Sequence, residues 1–159
     1  MEADYQKTSS HLGTQIKRVL LGASLVPLVL VANPVDAAPQ GGQIVGGSGT
    51  ISQNNLTTHI KQNTQNLAID WNSFNVNSNE IVNYLQPNSS SIALNRIIGG
   101  SASEIHGQIN ANGHVVLVNP NGVFFGQGAT VNVGGLIASG LDIGTADFMN
   151  GNYLFNAVG

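Results

Sequence analysis

The chain is 159 residues long, enough for one domain with a sizeable core, and 42% of its residues are hydrophobic. Only 8% are charged and the net charge is -3, so the solvated surface has to be built from amides and hydroxyls. There are five Lys and Arg residues, of which only Lys61 and Arg96 follow residue 37, and no Cys. These counts exclude nucleic acid as a partner, because phosphates need cations, and they exclude disulfides and thiolate metal sites.

Residues 1–18 are polar and end in Lys17-Arg18, and an apolar run of 13 residues follows from Val19 to Val31. A helix of that length rises about 20 Å, short of the roughly 30 Å of a bilayer core, so a permanent span is disfavoured. Asn33-Pro34 breaks the run, and Val35-Asp36-Ala37 before Ala38 puts small side chains where a signal peptidase reads them. The segment predicts a signal peptide over 1–37, cleaved between Ala37 and Ala38; the alternative is a buried helix of the mature fold.

From residue 38 onward no window holds a 3.6-residue period, whereas period-two alternation is frequent. Residues 43–90 space their apolar side chains unevenly and predict an N-terminal capping set of strands, with Trp71, Phe74 and Tyr84 as cap-to-core anchors rather than a sugar-stacking platform. Between Glu104 and Phe125, Ile105, Gly107, Ile109 and Ala111 alternate with polar residues, and Val115 and Leu117 continue one register. Gly-Gly and Asn-Gly pairs punctuate these short strands. Three apolar-Asn-apolar strings centred on Asn110, Asn132 and Asn156 recur at 22 and 24 residues. That spacing predicts coils of a β-solenoid whose corner asparagines stack on one another, with Tyr153–Ala157 opening a further coil and no polar cap after it. Domain organisation is therefore 1–37 and 38–159, the second truncated at its C-terminal end.

Several strings in order carry a family resemblance: Ile69-Asp70-Trp71-Asn72-Ser73-Phe74-Asn75-Val76, Leu94-Asn95-Arg96-Ile97, Ser103-Glu104-Ile105-His106-Gly107, Val118-Asn119-Pro120-Asn121-Gly122-Val123-Phe124-Phe125-Gly126 and Val131-Asn132-Val133-Gly134-Gly135-Leu136. Together, over about residues 40–159, they resemble the secretion (haemagglutination activity) domain of filamentous-haemagglutinin-like exoproteins of two-partner secretion. The resemblance implies an all-β, right-handed parallel β-helix. It also implies entry to the periplasm by the Sec machinery and recognition by the periplasmic domains of a cognate TpsB-type outer-membrane β-barrel transporter. A Gram-negative-type bacterium would thus place the protein outside, as a secreted or surface adhesin that meets a host surface through a region downstream. The Asn-Pro-Asn-Leu motif of one branch is absent, which puts branch-specific transporter contacts in doubt.

Asn119, Pro120, Asn121 and Gly122 match the family's secretion motif, although Pro and Gly also suit an ordinary turn. The expectation is an exposed, rigid turn beside an uncharged strand edge. Arg96, with so few cations in the chain, is expected to pair with a carboxylate or with corner carbonyls, and Asn95, Trp71 and Phe74 join it as structural or secretion candidates. The four His residues lack metal-ligand spacing, Ile51 replaces the Asp of a calcium nonapeptide after Gly46-Gly47-Ser48-Gly49, and no phosphate loop or nucleophile elbow occurs. No metal, cofactor or catalytic residue is assigned. A β-helix polysaccharide-degrading enzyme needs clustered carboxylates and a base, yet Asp70, Glu80, Glu104, Asp142 and Asp147 are scattered. Direct glycan binding by the segment itself is the other alternative.

Overall fold

The structure, a computed structural model, describes residues 38–157 together with Pro27 and Leu28. The chain divides into two units, Met1–Asn33 and Pro34–Gly159, and the fold below is that of the second. Apart from Pro27 and Leu28, the signal-peptide reading of residues 1–37 lies outside the described residues.

The strands are β1 (Gln43–Gly46), β2 (Gly49–Asn54), β3 (Thr57–Gln62), β4 (Asn66–Trp71), β5 (Ile81–Leu85), β6 (Ile92–Ile97), β7 (Ser103–Ile105), β8 (Gln108–Ala111), β9 (His114–Val118), β10 (Val123–Phe125), β11 (Thr130–Asn132) and β12 (Gly135–Ser139), followed by a short helix α1 (Thr145–Met149). They form sheets ordered β1-β4-β6-β9-β12 and β11-β8-β5-β3-β2, plus the pair β10-β7. From β3 onward every pairing within these sheets is parallel, and the chain visits the faces in constant rotation. The result is a parallel β-solenoid of about four turns among the described residues.

The cap is narrower than the uneven spacing of residues 43–90 suggests. Only β1 and β2 run antiparallel, β1 on β4 and β2 on β3; from Thr57 the chain already lies in the parallel stack. Trp71, Phe74 and Tyr84 are buried in the lumen with Ile60, Leu67, Ile69, Ile97, Ile105, Ile109, Val115 and Leu117, and the cap residues Ile44 and Ile51 pack against this same cluster. Trp71 and Phe74 meet edge to face, their centroids 5.5 Å apart.

One polar side chain lies at the centre of this apolar lumen. Asn95 is fully buried; its Oδ1 accepts from Trp71 Nε1 at 3.0 Å and Tyr84 Oη at 2.9 Å, and its Nδ2 donates to the carbonyls of Ala93 and Val116, each at 3.3 Å. Trp71 belongs to one coil, Tyr84 and Asn95 to the next, and Val116 to the third, so a single amide ties three successive coils. A second apolar cluster lies on the opposite face of the β4-β6-β9 sheet, where Ala68, Leu94, Val116 and Val118 are covered by Ile143 and Phe148. Hence strands such as Val115–Val118 are apolar without alternation, as strands buried on both faces are.

The final segment departs from the sequence expectation. Residues 153–157 do not begin another coil: Asn156 bridges Asp142 antiparallel, Phe155 packs on the second cluster, and Tyr153 leans on Phe148 with centroids 5.7 Å apart. Pairing with Asp142 in the excursion after β12 draws these residues outside the solenoid. Two predictions follow from the lumen. Asn95→Ala strands the Trp71 and Tyr84 donors without a partner and is expected to cost about 2–5 kcal/mol, read as a lowered urea midpoint. Burial pushes the Tyr84 hydroxyl well above the tyrosine range, with the Asn95 bond offsetting part of the shift. The unfolded state therefore releases this proton first, and stability is expected to fall as pH rises past about 10, a loss measurable by denaturation at stepped alkaline pH.

Candidate functional site

The candidate site is the corner between β9 and β10. The Gly122 amide donates to the Asn119 carbonyl at 2.9 Å, closing a turn with Pro120 at its second position, and Gly122 itself takes φ 103°, a conformation side chains rarely adopt. Here the expectation of a wholly exposed turn is corrected. Asn119 is completely buried: its Nδ2 donates to the Ser101 carbonyl and to Ser103 Oγ, both at 3.0 Å, while its Oδ1 accepts the Asn121 amide at 2.9 Å. Its own amide donates to the Ser139 carbonyl at 2.9 Å, so it links the coil before to the coil after. Only Pro120 and Asn121 face solvent, and Asn121 Nδ2 reaches the Gly99 carbonyl at 3.2 Å.

The surroundings of this corner are apolar and exposed. Ile98 is 64% and Phe124 is 63% exposed. Ile98 and Pro120 flank a cleft of about 310 Å³ that also takes in Arg96 and Asp142, and the Phe124 ring lies over Gly122. Arg96 is not free to reach a partner. Its guanidinium holds both Asp70 oxygens, at 2.8–3.1 Å, and donates to the Ile143 carbonyl at 3.3 Å, fixing the excursion onto the sheet.

The repeated asparagines do stack, but with a different membership and place. Asn110 Nδ2 donates to Asn83 Oδ1 at 2.8 Å, 27 residues away, and Asn132 Nδ2 to Asn110 Oδ1 at 3.2 Å, 22 residues away. The column lies along the strands β5, β8 and β11 rather than at corners, and its third member is Asn83, one coil before Asn110, instead of Asn156 beyond Asn132. The longer coil between Asn83 and Asn110 hides the recurrence from a fixed-period search. The corners are instead sealed by glutamines that sequence reasoning missed. Gln62 Nε2 donates to the carbonyls of Thr64, Gln65 and Ile92, and Gln86 receives the Gly113 amide at 2.7 Å while donating to Gln62 and to the Ser91 and His114 carbonyls. Gln62 ends β3 after Lys61 and Gln86 follows Leu85 at the end of β5, so the two share no common sequence signal. Ala38 is half-buried, and Ala37 lies outside the described residues.

Among the described residues the acidic side chains are engaged separately. Asp70 is engaged by Arg96, Glu80 holds backbone amides, and His106 faces Glu104 at 3.5 Å on the exposed surface. Among the described residues no three His, Cys, Asp or Glu side chains come together as metal ligands.

Residues 34–158 match the family described as the TPS secretion domain. A heme/hemopexin-binding protein of Haemophilus influenzae strain Rd is 45% identical over 105 residues, 66% of this chain and 12% of that protein. Another heme/hemopexin-binding protein of Haemophilus influenzae is 42% identical over 118 residues, 74% of this chain and 13% of its own length. This chain thus spans only about an eighth of these relatives. The crystal structure of the HMW1 secretion domain from Haemophilus influenzae superposes with a TM-score of 0.72 at 34% identity, covering 76% of this chain and 32% of that one.

The corner geometry separates two asparagines that the motif treats alike. Asn119→Ala empties a buried, four-way hydrogen-bonded position and is expected to cost about 2–4 kcal/mol, whereas Asn121→Ala is expected to cost less than about 1 kcal/mol. Chemical denaturation of the two variants side by side checks the difference.

Proposed function

The chain belongs to the TPS secretion domain family, and from that premise we propose that its exposed Ile98–Pro120–Phe124 corner is the surface read by a cognate TpsB-type outer-membrane transporter. The domain is a secretion-targeting module of two-partner secretion, of the class secreted by Gram-negative bacteria. Three finer features belong to the same reading. A leader over 1–37 hands the chain to the Sec machinery and is removed by signal peptidase. The transporter's periplasmic domains make the contact. The exoprotein delivered is a surface or secreted adhesin or haemagglutinin that meets a host surface through its remaining length.

The observation that carries the corner assignment is its division of labour. Asn119 is spent on holding coils together, while Pro120 and Asn121 stand out rigidly between two large exposed apolar side chains. A protein surface with so few charges offers little for long-range steering, and rigid apolar anchors ringed by amides supply affinity at low ordering cost. Glycan binding and polysaccharide cleavage gain no observation in their favour.

Secretion measurements separate fold from recognition. Ile98→Asp and Phe124→Asp, with Asn121→Ala, are expected to leave the unfolding free energy from urea titration within about 1 kcal/mol of wild type. Each Asp variant is expected to weaken binding to the transporter's periplasmic domains about tenfold. The protein then accumulates in the periplasm rather than the medium when both partners are expressed. Normal secretion of both Asp variants refutes the corner as the recognition surface.

A further inference from the structure

We propose that Glu80 is a receptor for the new N-terminus released by leader removal, so that cleavage after Ala37 locks the capping end of the solenoid. The inference rests on the signal-peptide reading of 1–37. Its geometry comes from residues of the solenoid unit alone.

Glu80 is a carboxylate in an unusual place: it is 4% exposed, in the turn leading into β5. Its Oε2 accepts the Asn77 amide at 2.7 Å and the Ala38 amide at 2.9 Å, across 42 residues of sequence. No cation faces it in an ion pair among the described residues, where the ion pairs are Arg96–Asp70 and His106–Glu104. A buried carboxylate bonded to neutral amides is incompletely compensated, and a partner with formal positive charge suits it better. The residue at the predicted cleavage point is the one that touches it.

The backbone at Ala38 points the same way. Ala38 has φ 69°, one of two non-glycine residues among those described with positive φ, in a region that is strained for a Cβ-bearing residue. The torsion φ exists only while a preceding carbonyl carbon is attached. Hydrolysis of the Ala37–Ala38 bond breaks the C–N link, places the hydroxyl of water on the Ala37 carbonyl, and leaves protons on the Ala38 nitrogen. The steric conflict with the preceding peptide disappears, and the neutral amide donor becomes an ammonium beside the same oxygen. The segment behind it is already held. Pro39 is buried, its carbonyl accepts from Gln53 Nε2, and Gln40 exchanges backbone bonds with Asn72 and Ser73. Gly107 completes the fit, because a Cβ there would collide with the Asn77 and Glu80 carbonyls.

The test uses the exported chain. Its N-terminus is sequenced, and the α-amino group is then acylated at neutral pH in native protein, with Lys61 as internal reference. Wild type is compared with Glu80→Gln and with a variant carrying one additional Gly between Ala37 and Ala38. A start at Ala38, with wild-type α-amino labelling about tenfold slower than in both variants and unchanged Lys61 labelling, is the expected result. A start at Ala38 with equal α-amino rates overturns the Glu80 dock and leaves the leader reading standing. A start elsewhere overturns both. Should Glu80→Gln fail to fold, the Gly-insertion variant, in which Glu80 is intact and the ammonium displaced, decides alone.

Discussion

The amide of Asn95 is the constraint on which the solenoid's register depends. Apolar side chains fill a lumen of stacked coils almost equally well if one coil slips along its neighbour, because Ile, Leu and Val meet their like in every layer. A buried amide does not tolerate the slip. Asn95 has to find the indole of Trp71 on one side, the phenol of Tyr84 beside it and the Val116 carbonyl beyond, and a shift of two residues, which keeps the apolar face inward, leaves these unpaired in a dry interior. The outward column Asn83–Asn110–Asn132 repeats the specification more weakly at the surface. Between them, a solenoid with few ion pairs among its described residues fixes which residue sits over which.

How far sequence reasoning reaches follows the range of the interactions. Alternation through Ile105, Ile109, Val115 and Leu117 reports a local fact, the inward face of successive strands, and the structure buries all four. The solenoid itself was visible through a recurrence of asparagines, although one member was misplaced: Asn156 mimics the apolar-Asn-apolar string but pairs antiparallel with Asp142. Asn83 escaped because corners of unequal length make the coil period vary, and the short helix α1 left no usable periodicity. The Asn95 node was not derivable, since its partners lie 24 and 11 residues away in sequence and only the closed lumen brings them together. The same holds for Glu80 and Ala38.

The secretion-motif corner shows why a motif is a poor guide to exposure. Four consecutive residues are read as one recognition string, yet the fold assigns them separate tasks. Asn119 is interior mortar, Gly122 supplies a backbone geometry, and Pro120 and Asn121 alone are available to another molecule. A substitution at Asn119 therefore disturbs bonds between coils, while one at the outer pair leaves the bonds from Asn119 to Ser101 and Ser103 in place. Arg96 has a similar lesson, being spent on Asp70 and the Ile143 carbonyl.

The two antiparallel strands at the start have a consequence best put in the language of polymerisation. A parallel stack has two chemically distinct growing ends, and β1 and β2 terminate one of them by reversing strand direction across β4 and β3. At the other face β12 and β11 still run parallel to the strands from β3 onward, with Leu136 and Ile137 partly exposed. The domain is thus a seed with one blocked end and one live end. A coil stacked on β12 and β11 would meet strands of matching direction, whereas one stacked on β1 and β2 would meet strands reversed by the cap.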